Sequence, residues 1–225
     1  MELIDNWYKT AREVLFHPKE FFSKMPTTGG LGEPFRFALI NIFIAAVLSA
    51  GAMLAFPSAD IKMILLTSDL AILGFMAGAV ITTLIVGSIG IFIVAAIYHL
   101  FLKLTGAKKD FEATYRVLAY VSVFNILTAI SSAEIPALQG IAFFISLYVI
   151  YLIIRGFSKV HEITMMRAGI AVLIPIIIAI VLVVAAMVLL LATIGAQNDI
   201  MFQTASDLER MNLPMQAKAI SGMLK

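Results

Sequence analysis

The chain has 225 residues, of which 61% are hydrophobic and 13% charged, with a formal net charge of +2 and no cysteine. Soluble domains carry roughly 25% charged residues, so this composition excludes an ordinary water-soluble globule and makes lipid the solvent for most of the surface. The small net charge argues against a nucleic-acid partner, and the absence of cysteine excludes disulfides, thiolate metal sites and cysteine nucleophiles.

The first stretch, "MELIDNWYKTAREVLFHPKEFF", has no continuous apolar run and no small-residue cleavage site, so it reads as something other than a cleaved signal peptide, with the first span doing the targeting. Leu3, Trp7, Ala11, Val14 and Leu15 recur at helical spacing, with Asp5 placed to cap. This predicts an amphipathic helix on the inner membrane surface. Pro18 opens a second short helix, in which Phe21, Phe22 and Met25 are expected to dip into the interface while Lys19 and Lys24 meet headgroups. The competing expectation is that both helices simply pack on the ends of the bundle. "PTTGGLGEP" then reads as a flexible connector, which makes residues 1–34 a cytoplasmic arm and connector.

Five apolar runs follow within a membrane domain over 35–196: Phe35 to Phe56, about Leu70 to Leu102, Thr114 to Ser132, Leu138 to Phe157, and Ala168 to Gly195. The second is long for a hydrocarbon core of ~30 Å. "GSIG" at Gly87 to Gly90 offers a break that would turn it into a hairpin and give six spans. In the same run Gly74 and Gly78, followed by Thr82, form a small-residue pattern that lets another helix approach closely. Asn41, Thr82, Thr83 and Asn125 are the polar candidates inside the membrane, read first as helix-to-helix hydrogen bonds and otherwise as the lining of a polar path. Glu134 and Pro136 suggest a tight capped turn, and Pro175 a bend in the last span. Residues 197–225 form an external tail that keeps helical spacing through Met201, Ala205, Leu208 and Met211, with Pro214 ending or restarting the helix.

Charge decides between five spans and six, because retained cytoplasmic loops hold the Lys and Arg excess. With five spans and the N-terminus inside, the inner side collects Lys9, Arg12, Lys19, Lys24, Arg36, Lys103, Lys108, Lys109, Arg116, Arg155, Lys159 and Arg167. Only Lys62, Arg210, Lys218 and Lys225 lie outside. A hairpin at Gly87 would balance the two sides. The expectation is therefore five spans, N-terminus inside and C-terminus outside. The basic stretch "HLFLKLTGAKKDFEATYRVLAY" becomes an inner loop, with Gly106 ending one helix and Asp110 capping the next.

Catalytic patterns are missing. His17, His99 and His161 lie in separate segments, and "GGLG" lacks the rest of a phosphate loop. No catalytic, cofactor or metal site is expected.

"HPKEFFSKM" before the first span, "LTGAKKDFEATYRVLAY" in the inner loop, the turn around "EIP", and "GFSKVHEITMMRAGIAVLIP" entering the last span together resemble the prokaryotic branch of the YIP family, the Ypt/Rab-interacting membrane proteins, over roughly residues 14 to 195. The resemblance implies a five-helix, all-α membrane domain with a cytoplasmic N-terminus and, in eukaryotic relatives, association with one another and with Rab-type GTPases in membrane traffic and shaping. The D-L-Y-G-P motif of those relatives is replaced here by "GLGEPFRF" from Gly30 to Phe37. The positions singled out by the resemblance are Pro18, Phe22, Gly106, Phe111, Tyr115, Arg116, Gly156, His161 and Arg167, none with a catalytic role.

The function expected is that of a non-enzymatic, multi-pass protein of the prokaryotic cell membrane that organises membrane or recruits a partner. The candidate surface for anionic lipid headgroups, for a cytoplasmic protein or for another subunit comprises Trp7, Phe21, Phe22, Lys108, Lys109, Tyr115, Arg116, His161 and Arg167. The alternative is a transporter or channel for a small solute, ion or lipid.

Overall fold

A backbone in hydrocarbon has no water to bond with, so an apolar chain must satisfy its N–H and C=O groups within each segment. The computed structural model describes residues 2–58, 61–63, 66 and 68–211, and among them there are helices and no strand. Five helical segments are long and apolar enough to cross a membrane. The protein is an all-α integral membrane protein.

The chain divides into two units, residues 1–175 and 176–225. In the first, α1 (Glu2–Phe16) and α2 (Pro18–Lys24) precede α3 (Gly32–Ala55), α4 (Asp69–Leu104), α5 (Phe111–Val121), α6 (Phe124–Thr128), a 3-10 turn (Ala129–Ala133) and α7 (Pro136–Val160). Asp5 lies inside α1 rather than at its cap, whereas Pro18 does open α2. The core is α5. Every residue from Ala113 to Phe124 is buried, with α1, α3, α4 and α7 packed around it and Phe21 of α2 edge-on to Tyr120 at 5.0 Å between ring centroids.

The third span is not the single helix expected over Thr114 to Ser132. It splits at Ser122–Val123 and again at Thr128. The reason lies in a polar residue at every third position. The hydroxyls of Ser122, Thr128 and Ser131 donate to the carbonyls of Ala119, Asn125 and Thr128 at 2.6, 3.3 and 2.7 Å, and the Asn125 N–H donates to the Ser122 carbonyl at 3.0 Å. Bonds of this short span tighten the helix toward 3-10 geometry.

The "GSIG" break is also absent: α4 runs unbroken for 36 residues. At about 54 Å it exceeds the ~30 Å core even at a ~40° tilt, so part of it extends beyond the hydrocarbon. Gly87 serves contact instead, since a Cβ there would lie 3.1 Å from Ile42 of α3. Gly156 is tighter, its Cβ position 2.7 Å from a methyl of fully buried Val117. Gly74 and Gly78, expected to mark a close approach, have nothing within 4 Å.

The last helix, α8 (Met165–Arg210), contains Pro175 and belongs to the first unit up to that residue, with Ala168, Ala171 and Val172 fully buried. In the second unit the helix is apolar and exposed nearly all round from Ile177 to Leu191, the pattern of a lipid-facing span. The fifth span and the start of the tail are one helix. Pro214, Lys218 and Lys225 lie outside the described residues.

Val117 is β-branched and cannot swing aside, so Gly156→Ala should lower stability by about 1–3 kcal/mol. Gly74→Ala and Gly78→Ala should leave it unchanged or raise it by up to ~1 kcal/mol through helix propensity. Thermal unfolding of the detergent-solubilised variants measures the contrast.

Candidate functional site

The basic residues gather at one end of the first unit, where two loops and the N-terminal arm meet. Gly106 ends α4 with φ +92. Its N–H bonds the Lys103 carbonyl at 3.1 Å, and the Ala107 N–H bonds the Leu102 carbonyl at 2.9 Å, the paired bonds of a Schellman cap. Asp110 occupies the N-cap of α5 but makes no side-chain cap bond. Lys109 instead reaches across to Glu162, Nζ to Oε1 at 2.9 Å, and joins the α4–α5 loop to the α7–α8 loop. That hydrogen bond and charge hold the exposed Glu162 carboxyl below its usual range.

Beneath this bridge the Thr114 hydroxyl lies 2.9 Å from His99 Nδ1 and 2.9 Å from His161 Nε2. One hydroxyl proton cannot serve two ring acceptors, so the two tautomers are coupled. His161 Nδ1 is buried with no partner among the described residues. An unpaired acceptor costs less than an unpaired N–H, so the assignment we make is His161 Nε2–H to Thr114, with the Thr114 O–H to His99. His161 is fully buried. Burial first, then the nearby His99, Lys103 and Lys109, push its pKa down to about 4, which keeps the ring neutral at pH 7.

Arg116, 1% exposed, closes the site on its other side. Its Nε donates to Glu112 Oε1 at 3.0 Å and its Nη2 to the Gly30 carbonyl at 2.8 Å, while the Gly30 N–H donates to the same carboxylate oxygen at 2.7 Å. Gly29, at φ +119, brings its backbone against the guanidinium, 3.2 Å from where a Cβ would sit. The connector expected to be flexible is thus pinned: a buried arginine needs its counter-charge and acceptors, and the two glycines provide the approach.

The arm is tied on by the third constellation. The Trp7 indole N–H donates to Asn41 Oδ1 at 2.8 Å, Asn41 Nδ2 donates to Ser122 Oγ at 3.0 Å, and Ser122 passes its proton on to the Ala119 carbonyl. Phe22 is buried beside Gly156. Trp7, Phe21 and Phe22 therefore face the bundle, and among the described side chains of α1 the exposed apolar ones are Ile4, Tyr8 and Phe16.

Of the residues expected on a lipid or partner surface, Phe22, Tyr115, Arg116 and His161 are buried, and Trp7, Phe21 and Lys109 are half-buried. Lys108 and Arg167 are exposed. The buried set resembles surface residues in sequence because it is polar or aromatic beside a basic loop, yet each forms part of the packing. Among the intramembrane candidates Asn41 is sealed and satisfied, while Thr82, Thr83 and Asn125 are exposed. Thr83 and Asn125 share an open groove of about 260 Å³ with Ser49, Thr128 and Ser132, which Asn41 does not line. Composition and spacing did not bring out Thr114, Ser122 or Glu112. Of these only Glu112 carried a signal, its i,i+4 spacing from Arg116.

Five apolar segments, an α5 buried on all sides and an N-terminal arm hydrogen-bonded into it define a multi-pass helical membrane protein whose basic loops are folded into one polar layer. The Yip1 domain family model matches residues 12–188, more than three-quarters of the chain, and the protein belongs to that family. Neither a curated protein nor a solved structure matches it.

Two outcomes follow. Asn41→Leu removes the acceptor of the half-buried Trp7 N–H and should cost about 1–3 kcal/mol, with a change in the emission of Trp7, the chain's single tryptophan. Because the folded pKa of His161 lies below its unfolded value of 6.5, the unfolded chain binds more protons between pH 6.5 and about 4. Its stabilising contribution is complete above pH 6.5 and is lost as the pH falls to about 4. Thermal unfolding across that window should slope less in His161→Gln, which keeps a donor toward Thr114.

Proposed function

We propose that this Yip1-domain protein is a non-enzymatic organiser of the cell membrane, oriented with its N-terminus and basic layer in the cytoplasm and its C-terminus outside, and that the layer engages an anionic membrane surface. The observation that carries this reading is the union of the two basic loops with the arm. Lys109–Glu162, His99–Thr114–His161 and Arg116–Glu112–Gly30 fix the layer from inside, and leave Lys103, Lys108 and Arg167 exposed around it. Fixed cations attract anionic headgroups at about 1 kcal/mol each, and the Ile4, Tyr8 and Phe16 edge of α1 offers the apolar side chains an interfacial helix inserts. The orientation is supported by the crowding of cations at one end. The carrier alternative gains no support from the sealed Asn41 and the separate groove at Asn125.

Protein held in a zwitterionic nanodisc should bind separate phosphatidylglycerol-containing vesicles, with an affinity that falls as salt rises. The triple variant Lys103→Gln, Lys108→Gln, Arg167→Gln should weaken that binding about 100-fold, the sum of three contributions of ~1 kcal/mol. Undiminished binding by the triple variant would remove the basic layer from the mechanism.

A further inference from the structure

A cavity of about 580 Å³ lies between α1 and the opening turns of α3, within the range of sites that hold a small ligand. Asn6, Lys9 and Thr10 come from α1, Glu33, Arg36 and Ile40 from α3, and Tyr120 of α5 lines it as well. Lys9 and Arg36 are both exposed and neither makes an ion pair among the described residues. The cleft therefore carries two unneutralised cations against one carboxylate, Glu33.

The lining changes character along α3. Glu33 and Arg36 are the charged residues of this wall, Phe37 follows Arg36 directly and Ile40 lies one turn beyond it, about 6 Å along the axis, and Trp7 also lines the cleft. The Trp7 indole N–H is already given to Asn41, so Trp7 offers this cleft only its apolar surface. Thr10 likewise donates its hydroxyl proton to the Asn6 carbonyl at 2.9 Å and retains only acceptor capacity. A ligand that suits these groups has a phosphate for Lys9 and Arg36, hydroxyl donors for Glu33 and Thr10, and a hydrocarbon portion for Phe37 and Ile40.

We propose that this cleft is a binding site for the headgroup of an anionic, hydroxyl-bearing phospholipid such as phosphatidylglycerol, with Arg36 and Lys9 holding the phosphate. The single negative charge of that lipid matches the net positive charge of the lining, and its acyl chains continue along the first spanning helix. The site rests on the reading of this end as lipid-facing, but differs from it in being one cleft with a defined lining rather than a charged surface. Asn6, Trp7, Lys9 and Thr10, four of the nine lining residues, precede the region that matches the family.

Trp7 lines the cleft and is the only tryptophan, so its emission reports occupancy directly. The full chain in uncharged detergent micelles is titrated with short-chain phosphatidylglycerol, with phosphatidylcholine and phosphatidylethanolamine of the same chain length, and with inorganic phosphate. The expected result is a saturable change with phosphatidylglycerol, weakened about tenfold or more, as for a lost charge-assisted contact, in Arg36→Gln and in Lys9→Gln, and unchanged in Lys62→Gln, an exposed cation outside both the cleft and the basic layer. Inorganic phosphate should compete only weakly, because it lacks the hydrocarbon portion. Equal response to the zwitterionic lipids, equal affinity for inorganic phosphate, or unaltered titration by both cleft variants would overturn the site. Vesicle binding that survives without any Trp7 response would overturn the cleft and leave the basic layer standing. A Trp7 response that survives in a protein unable to bind vesicles would support the cleft alone.

Discussion

One buried amide, Asn41, determines how the first quarter of the molecule is arranged. It sits in the first spanning helix with no exposed surface, where an unpaired amide would be expensive. Its oxygen takes the Trp7 indole proton and its nitrogen reaches Ser122, so one amide joins the arm, the first span and the broken third span. Losing Trp7 would leave the buried Asn41 oxygen without its donor, and losing Asn41 would remove both links at once. That dependence places α1 against the bundle, turns Phe21 and Phe22 inward, and opens the cleft between α1 and α3.

The same logic accounts for the polar layer at the basic end. Arg116, Thr114 and His161 are fully buried or nearly so, and they tie α5 to other segments: Arg116 to the connector before α3, and Thr114 to His99 of α4 and to His161 at the cap of α7. Buried polar groups of this kind favour one arrangement of loops, since moving a loop would break the Arg116–Gly30, Thr114–His99 and Thr114–His161 bonds inside a low-dielectric interior. The exposed cations are then carried on a shaped platform instead of on mobile loops. A platform of fixed charge suits an organising or docking role, while the residues that look most like chemistry are engaged in holding the platform together.

Much of this architecture was legible from residue pattern. Apolar length gave five spans, the distribution of Lys and Arg selected the unbroken second span, and Gly106 and Pro18 marked helix boundaries for the usual conformational reasons. The split in the third span was also written in the chain as Ser122, Asn125, Thr128 and Ser131, polar at every third position, but hydrophobicity alone reads through such a pattern. What could not be read was direction. Helical spacing groups Leu3, Trp7, Ala11 and Val14 on one face without saying whether that face meets lipid or protein, and only the distant partners Asn41 and Ser122 decide it. Gly74 and Gly78 show the converse, since a small-residue pair permits close approach without supplying a neighbour.

Helix α1, Glu2–Phe16, is part of the bundle. Because the chain has no cysteine, spin labels at Tyr8→Cys and Leu127→Cys, two residues that line one groove between α1 and the third span, report a single distance in lipid nanodiscs. A short, narrow distance distribution is the result this account predicts. A long or broad distribution, with the arm free on the membrane surface, would contradict it.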